Sequence, residues 1–249
     1  MGIIIKSERE VAIMRQAGRI VAIVLEILSR EIGPGMKTRD LDNIASREIE
    51  KLGARPSFKG YHGFPASVCV SVNDEIVHGI PGERVLREGD IVSLDFGSIY
   101  DGFQGDAAVT LGVGEVGPEA RRLINATRES LEAGIARAYA GARLGDISAA
   151  VQDSVEVKGY SVIREYTGHG IGRQMHEDPQ IPNFGQPGTG PVLRKGMVLA
   201  IEPMVSTGDW HTRLGDDKWT VYTADGSLAA HFENTIAVTD AEPEVLTVA

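Results

Sequence analysis

Four acidic residues sit beside apolar or β-branched neighbours, where a lone charge is strongly disfavoured. Asp95 follows Ile91-Val92-Ser93-Leu94, and Asp106 stands in Phe103-Gln104-Gly105-Asp106-Ala107-Ala108-Val109. Glu202 ends the run Met197-Val198-Leu199-Ala200-Ile201, and Glu233 lies within Ala229-Ala230-His231-Phe232-Glu233-Asn234-Thr235-Ile236. Converging carboxylates of this kind cost several kcal/mol per uncompensated ion. Two divalent cations would neutralise them. His169, between Gly168 and Gly170 on what reads as a loop permitting close backbone approach, is the natural fifth ligand. Four carboxylates and one imidazole suit Mn, Fe(II), Co or Zn. A pair of such ions about 3.5–4 Å apart can lower the pKa of bound water from about 15.7 to about 7. At roughly 1.36 kcal/mol per unit that is about 12 kcal/mol, more than a lone side-chain base could supply. The chemistry implied is metal-assisted hydrolysis.

The elements that must position these groups begin with the hairpin from Arg87 to Thr110. Its first arm leads into Asp95, and Tyr100-Asp101-Gly102 reads as the turn. With a four-residue loop, Ile99 to Gly102, Asp95 and Asp106 are expected directly opposite each other, Cβ atoms roughly 4.5–5.5 Å apart. Upstream, Ser7-Glu8-Arg9-Glu10 is a capping box opening a helix through Val11, Met14, Ile20, Val24 and Leu28 that Gly33-Pro34-Gly35 stops. Thr38 is expected to cap a second helix ending near Gly53, followed by a strand from Ala66 to Val72.

The second half follows the same order. Pro118 and Gly145-Asp146-Ile147-Ser148 start helices, Tyr160 to Tyr166 reads as a strand, and a long loop spans Asp178 to Pro191. Leu86-Arg87-Glu88-Gly89 matches Leu193-Arg194-Lys195-Gly196, His78-Gly79-Ile80 matches His169-Gly170-Ile171, and Asp95 matches Glu202. These correspondences predict an α+β fold of two pseudo-symmetric ααββ halves, about residues 7–112 and 118–239, within a single domain covering 1–249. One curved antiparallel sheet would be covered by helices, with the site between the halves.

The chain has 249 residues, 42% apolar and 24% charged, with a net charge of −10. That balance argues against direct nucleic-acid binding. The single cysteine, Cys69, excludes an intramolecular disulfide and fits a reducing, cytoplasmic setting. The N-terminus has neither signal-peptide nor membrane-span character, and no membrane partner is expected.

On Tyr61-His62-Gly63-Phe64-Pro65, Val77-His78-Gly79-Ile80-Pro81, Asp95-Phe96-Gly97, Gly105-Asp106, Gly168-His169-Gly170-Ile171-Gly172, His176-Glu177, Glu202-Pro203 and Phe232-Glu233-Asn234-Thr235, the chain resembles the type I methionine aminopeptidases of peptidase family M24. The match runs from about residue 7 to 239. The resemblance implies the pita-bread fold and removal of N-terminal methionine from nascent proteins when the second residue is small and uncharged. It implies Asp95, Asp106, His169, Glu202 and Glu233 as ligands of two divalent ions, Asp106 and Glu233 bridging. It also implies His176 as the group polarising the scissile carbonyl, His78 as a contact to the peptide beyond its first residue, and Glu202 as proton shuttle. Tyr61, Phe64, Cys69 and Trp219 match the methionine pocket, whereas Phe58-Lys59-Gly60 and Met175 depart from the family's pattern. His62, His211 and His231 match nothing comparable and read as structural. Neither the extra N-terminal segments of some relatives nor the type II helical insertion is expected. Nascent polypeptide N-termini at the ribosome are the expected partners, and the protein is expected to act as a monomer. The alternatives are a proline-specific relative (prolidase or aminopeptidase P) and a non-catalytic pita-bread binding module.

Overall fold

A computed structural model describes residues 2–249. The first half runs α1 (Glu8–Glu31), α2 (Thr38–Lys51), β1 (Arg55–Pro56), β2 (Val68–Val72), β3 (Glu75–Val77) and the long hairpin β4 (Ile91–Tyr100) and β5 (Phe103–Gly112). The second runs α3 (Pro118–Ile135), α4 (Leu144–Glu156), β6 (Ser161–Val162), β7 (Thr167–Gly170), β8 (Glu177–Pro182) and β9 (Val198–Ile201). Short strands β10 (Met204–Ser206), β11 (Thr212–Leu214), β12 (Val221–Thr223) and β13 (Ala229–His231) lead to β14 (Glu233–Ala237) and β15 (Glu244–Val245).

The helices start as their sequences dictate. Ser7 accepts from the Glu10 amide while Glu10 reaches back to the Ser7 amide, closing the capping box. Pro118 occupies the first turn of α3, where a missing N–H costs nothing. At α2 the cap differs from expectation. Lys37 is the capping residue and Asp40 receives its amide, while Thr38 is already helical and bonds the Gly82 loop. The Asp146 carboxylate does the same for Arg143 at α4.

All pairings in the main sheet are antiparallel, in the order β1-β4-β5-β14-β9-β7-β8, with β2 also on β4. Strands β5 and β14 meet in the middle of this order, with β4 beyond one and β9 beyond the other. Helices α1 and α2 pack through Ile20, Val24, Leu28, Leu41 and Ile49 on Val92, Leu94 and Phe96 of β4. Helices α3 and α4 pack through Leu123, Leu131, Ile147 and Val151 on Leu199, Ile201 and Ile236. Because strand side chains alternate between faces, the residues between these anchors point away from the helices. Asp95, Asp106, Glu202 and Glu233 thereby share the opposite face.

Three local expectations are corrected. The hairpin loop has two residues, Asp101 and Gly102, both at positive φ (46° and 76°), as a tight Asp-Gly turn requires. Asp95 therefore pairs with Ala108 and Asp106 with Gly97, so the two acids are diagonal neighbours and not opposite. The segment Tyr160–Tyr166 forms only the two-residue β6, and residues 178–182 of the expected loop belong to β8. Finally, His169 lies on strand β7 at a register shift, pairing with Ala200. His78 instead stands just after β3, so the two histidines sit in different local structure.

Candidate metal centre and active site

Two hydroxyls fasten the seam between the halves. Thr235 Oγ1 donates to the Asp106 carbonyl and accepts from its amide, at 2.8 and 3.0 Å. Thr110 Oγ1 does likewise at His231, at 2.8 Å for both bonds, and Ser93 donates to Thr110 in turn. Asp106 and the strand entering Glu233 are thus fixed by backbone as well as by sheet pairing.

The four carboxyl groups converge beneath that seam. Asp95 and Asp106 lean close enough to hydrogen-bond when one is protonated. Among the described residues, Asp95 Oδ1, Asp106 Oδ1 and Glu233 Oε1 are buried with no hydrogen-bond partner. Burial, reinforced by the neighbouring carboxylates, pushes Asp106, Glu202 and Glu233 well above the usual carboxylate range. Burial raises Asp95 to about 7. Such shifts report a site that disfavours its own negative charge.

His169 completes the cluster. One ligand atom from each of Asp106, His169 and Glu233 falls within a 4.8 Å group. His169 Nδ1 lies 2.9 Å from the Gly170 carbonyl, so Nδ1 carries the proton and Nε2 keeps its lone pair. Nε2 faces the acids, 3.5 Å from Glu202 Oε1, and burial drops the ring's pKa to about 3. A neutral imidazole fixed by a backbone carbonyl, beside three orphaned carboxylate oxygens, is a donor set that fits divalent cations.

These groups form the floor of a cavity of about 240 Å³. His78 and His176 stand on its walls with Tyr61, Phe64, Cys69 and Trp219, so the expected ligands and pocket residues border one space. Tyr61 Oη lies 2.8 Å from His176 Nδ1. Burial raises the Tyr61 phenol and lowers His176, which keeps the phenol a donor and the imidazole neutral. Nδ1 then accepts, and Nε2 carries the proton. His78 sits at φ 61°, a conformation uncommon for a side-chain-bearing residue. The loop holding it is zipped along β2: Val70 donates to the Gly79 carbonyl and Gly79 to Ser71 Oγ. A Cβ on Gly79 would lie 2.2 Å from the Val70 carbonyl oxygen, so only glycine allows this approach.

Metallopeptidase family M24 matches residues 12–240. A methionine aminopeptidase of Clostridium acetobutylicum is 55% identical over 246 residues, covering 98% of each chain. The crystal structure of a methionine aminopeptidase from Thermotoga maritima superposes with a TM-score of 0.98 at 50% identity over the full length of both. The chain belongs to metallopeptidase family M24. A Bacillus anthracis Xaa-Pro dipeptidase is more distant, 28% identical with a TM-score of 0.80 over 98% of this chain and 62% of that one. The shared architecture is the pita-bread fold.

The side wall of this M24 metallopeptidase is apolar. Phe64 meets Trp219 edge-on at 5.2 Å and packs with Ala66 and Cys69, with Phe58 and Ile80 against them. Asp42 on α2 accepts from the Ser67 and Val68 amides and so sets the start of β2, which carries Cys69. Burial, then the nearby carboxylates, hold the Cys69 thiol well above its normal pKa, leaving it a neutral wall atom. Phe58 lines the cavity directly, whereas Met175 supports Phe58 and Tyr61 from behind.

Two histidines read as structural lie close to the site. His62, at φ 48°, borders the cavity and meets the Tyr61 ring edge-on. His231 is fully buried behind Glu202 and Glu233. A cue for His231 was present in its position two residues before Glu233, but strand alternation alone does not say which space it faces. His211 remains on the surface, 2.9 Å from Asp209.

Proposed function

We propose that the chain is a methionine aminopeptidase, hydrolysing the first peptide bond of polypeptides whose second residue is small and uncharged. The observation that carries this reading is one small cavity joining five metal-type donors to an apolar, aromatic wall. Asp95, Asp106, His169, Glu202 and Glu233 would hold two divalent ions (Mn, Fe(II), Co or Zn), which would supply a water made nucleophilic near neutral pH.

The chain's own groups supply the remaining steps. Tyr61, Phe64, Cys69 and Trp219 take the methionine side chain, whose polarizable sulfur suits ring edges. The His176 Nε2–H donates to the scissile carbonyl and stabilises the oxyanion that develops there. His78 contacts the peptide beyond its first residue. Glu202 accepts the proton from water and passes it to the leaving amine. We extend the reading to a monomer of one catalytic domain, acting on nascent chains at the ribosome in the cytoplasm. The acidic balance supports recognition without direct nucleic-acid contact, and no helix among the described residues is long and apolar enough to cross a membrane.

Protein loaded with Co(II) or Mn(II) should release methionine from Met-Ala-Ser and Met-Gly peptides and leave X-Pro dipeptides intact. Asp106→Asn and Glu233→Gln should abolish release. Preferential X-Pro cleavage would move the chain to the proline-specific branch, and a folded protein that binds no divalent ion would make it a binding module.

A further inference from the structure

His231 ends β13 and is 1% exposed, yet neither ring nitrogen has a hydrogen-bond partner. A buried polar group left without a partner is destabilising. Its backbone cannot drift to relieve this, because Thr110 holds both its amide and its carbonyl. The sheet adds a further restraint, pairing His231 with Met204 of β10. What the ring does approach is the carboxylate cluster: Nε2 lies 3.7 Å from Glu202 Oε2 and 4.0 Å from Glu233 Oε2. His169 approaches the other Glu202 oxygen, Oε1, so Glu202 stands between two imidazoles.

We propose that His231 is a positioning residue for Glu202: from 3.7 Å its Nε2–H closes onto Glu202 Oε2 when that carboxylate takes up an ion, and fixes its orientation. The inference rests on the aminopeptidase reading given above. Glu202 is there asked both to hold an ion and to move a proton, and a carboxylate free to rotate would do neither reliably. With Oε2 engaged by His231, Oε1 is left for the side where His169 stands. No proton leaves His231 in this role. Its contribution is a single donated hydrogen bond from a fixed backbone, of the kind that orients ligands in metal sites and is typically worth about 10–100-fold in affinity or activity.

The test compares His231→Gln, which keeps a neutral donor, with His231→Leu, which removes it. Wild-type release of methionine from Met-Ala-Ser checks the underlying reading separately. In His231→Leu, kcat should fall by about 10–100-fold with KM little changed, and calorimetric Mn(II) affinity of the metal-free protein should weaken by a similar factor. His231→Gln should retain most of both. Melting of the metal-free His231→Leu protein should be unchanged or higher, since an orphaned polar group is gone. Wild-type kcat and Mn(II) affinity in His231→Leu would overturn the proposal. Equal loss in Gln and Leu would overturn it too, by showing that the imidazole itself is needed, as a ligand would be. If His231→Leu does not fold, His231→Asn serves in its place: too short to reach Glu202, it should lose what Gln keeps, and parity of Asn with Gln would count against the role.

Discussion

Lys6 Nζ and Glu177 Oε2 lie 2.7 Å apart, with side-chain exposures of only 3% and 5%. The pair ties the N-terminal segment to the residue directly after His176. Glu177 Oε1 also accepts from the Gln174 amide, and the Lys6 amide donates to the Gly196 carbonyl. The loop closes tightly on the pair: a Cβ on Gly172 would lie 2.5 Å from Glu177 Oε1 and 2.7 Å from Lys6 Cε, so a side chain there would push the two ends aside. Lys6→Met should destabilise by about 3–5 kcal/mol, because it leaves a buried carboxylate uncompensated. Lys6→Met/Glu177→Gln should cost much less than the sum of the single changes in denaturant unfolding. A purely additive cycle would show that the two side chains do not act as a unit.

The orphaned oxygens of Asp95, Asp106 and Glu233 predict a protein that melts lower without metal. A ligand present at about 100 times its Kd and bound only by the folded state adds about 2.7 kcal/mol. For a chain of this size that is several degrees, at roughly 2–4 °C per kcal/mol. Removal of metal with EDTA should lower the Tm of a metal-loaded sample by that amount. Asp106→Asn should lower activity to background while raising the melting temperature of the metal-free protein, because one of the repelling carboxylates is gone. Identical melting curves with and without EDTA would argue against the metal centre.

His78 predicts a pH dependence of known sign. Burial, with a smaller contribution from His176, takes its pKa from 6.5 to about 4. Folding therefore favours the neutral ring. The stabilisation is fully present above about pH 6.5 and is lost as pH falls toward 4. At roughly 1.36 kcal/mol per unit the loss is at most about 3 kcal/mol, an upper bound because the ring faces an open cavity. His78→Asn keeps a residue tolerant of the left-handed backbone but does not titrate. In metal-free samples, the stability of wild type relative to His78→Asn should decline between pH 7 and 4.5. A flat difference across that range would refute the burial argument.

Phe64→Ala should weaken methionine recognition without touching the carboxylates. Loss of ring contact should raise KM for Met-Ala-Ser and lower kcat/KM by roughly 1–3 kcal/mol or more, tenfold to two-hundredfold. Mn(II) affinity should stay at the wild-type value. A fall in metal affinity would mean that the wall and the floor of the cavity are not separable.

Much of the site was legible from local chemistry. Acids embedded in apolar strands announce themselves, because alternation places Asp95 and Glu202 on the face opposite Leu94 and Ile201 whatever the tertiary details. The helix starts at Ser7 and Pro118 were legible for the same reason: caps act within one turn. The hairpin register is not legible in the same way, because Ile99 and Tyr100, which read as loop, continue the strand pairing to Gln104 and Phe103. The Asp101-Gly102 pair alone supplies the two positive φ angles that a two-residue turn needs. The place of His231 beside the acids is not legible locally for a different reason. Its neighbours arrive from β9, β10 and β5, far away in sequence, and nothing local distinguishes it from a core histidine.

Strands β5 and β14 meet over just two register pairs, Glu233 with Ala108 and Asn234 with Ala107. The acids divide evenly across that junction, Asp95 and Asp106 on one side, Glu202 and Glu233 on the other. Sliding one strand against the other by a single residue would turn Glu233 toward the helix face and break up the cluster, so the spacing of the acids hangs on those two pairs.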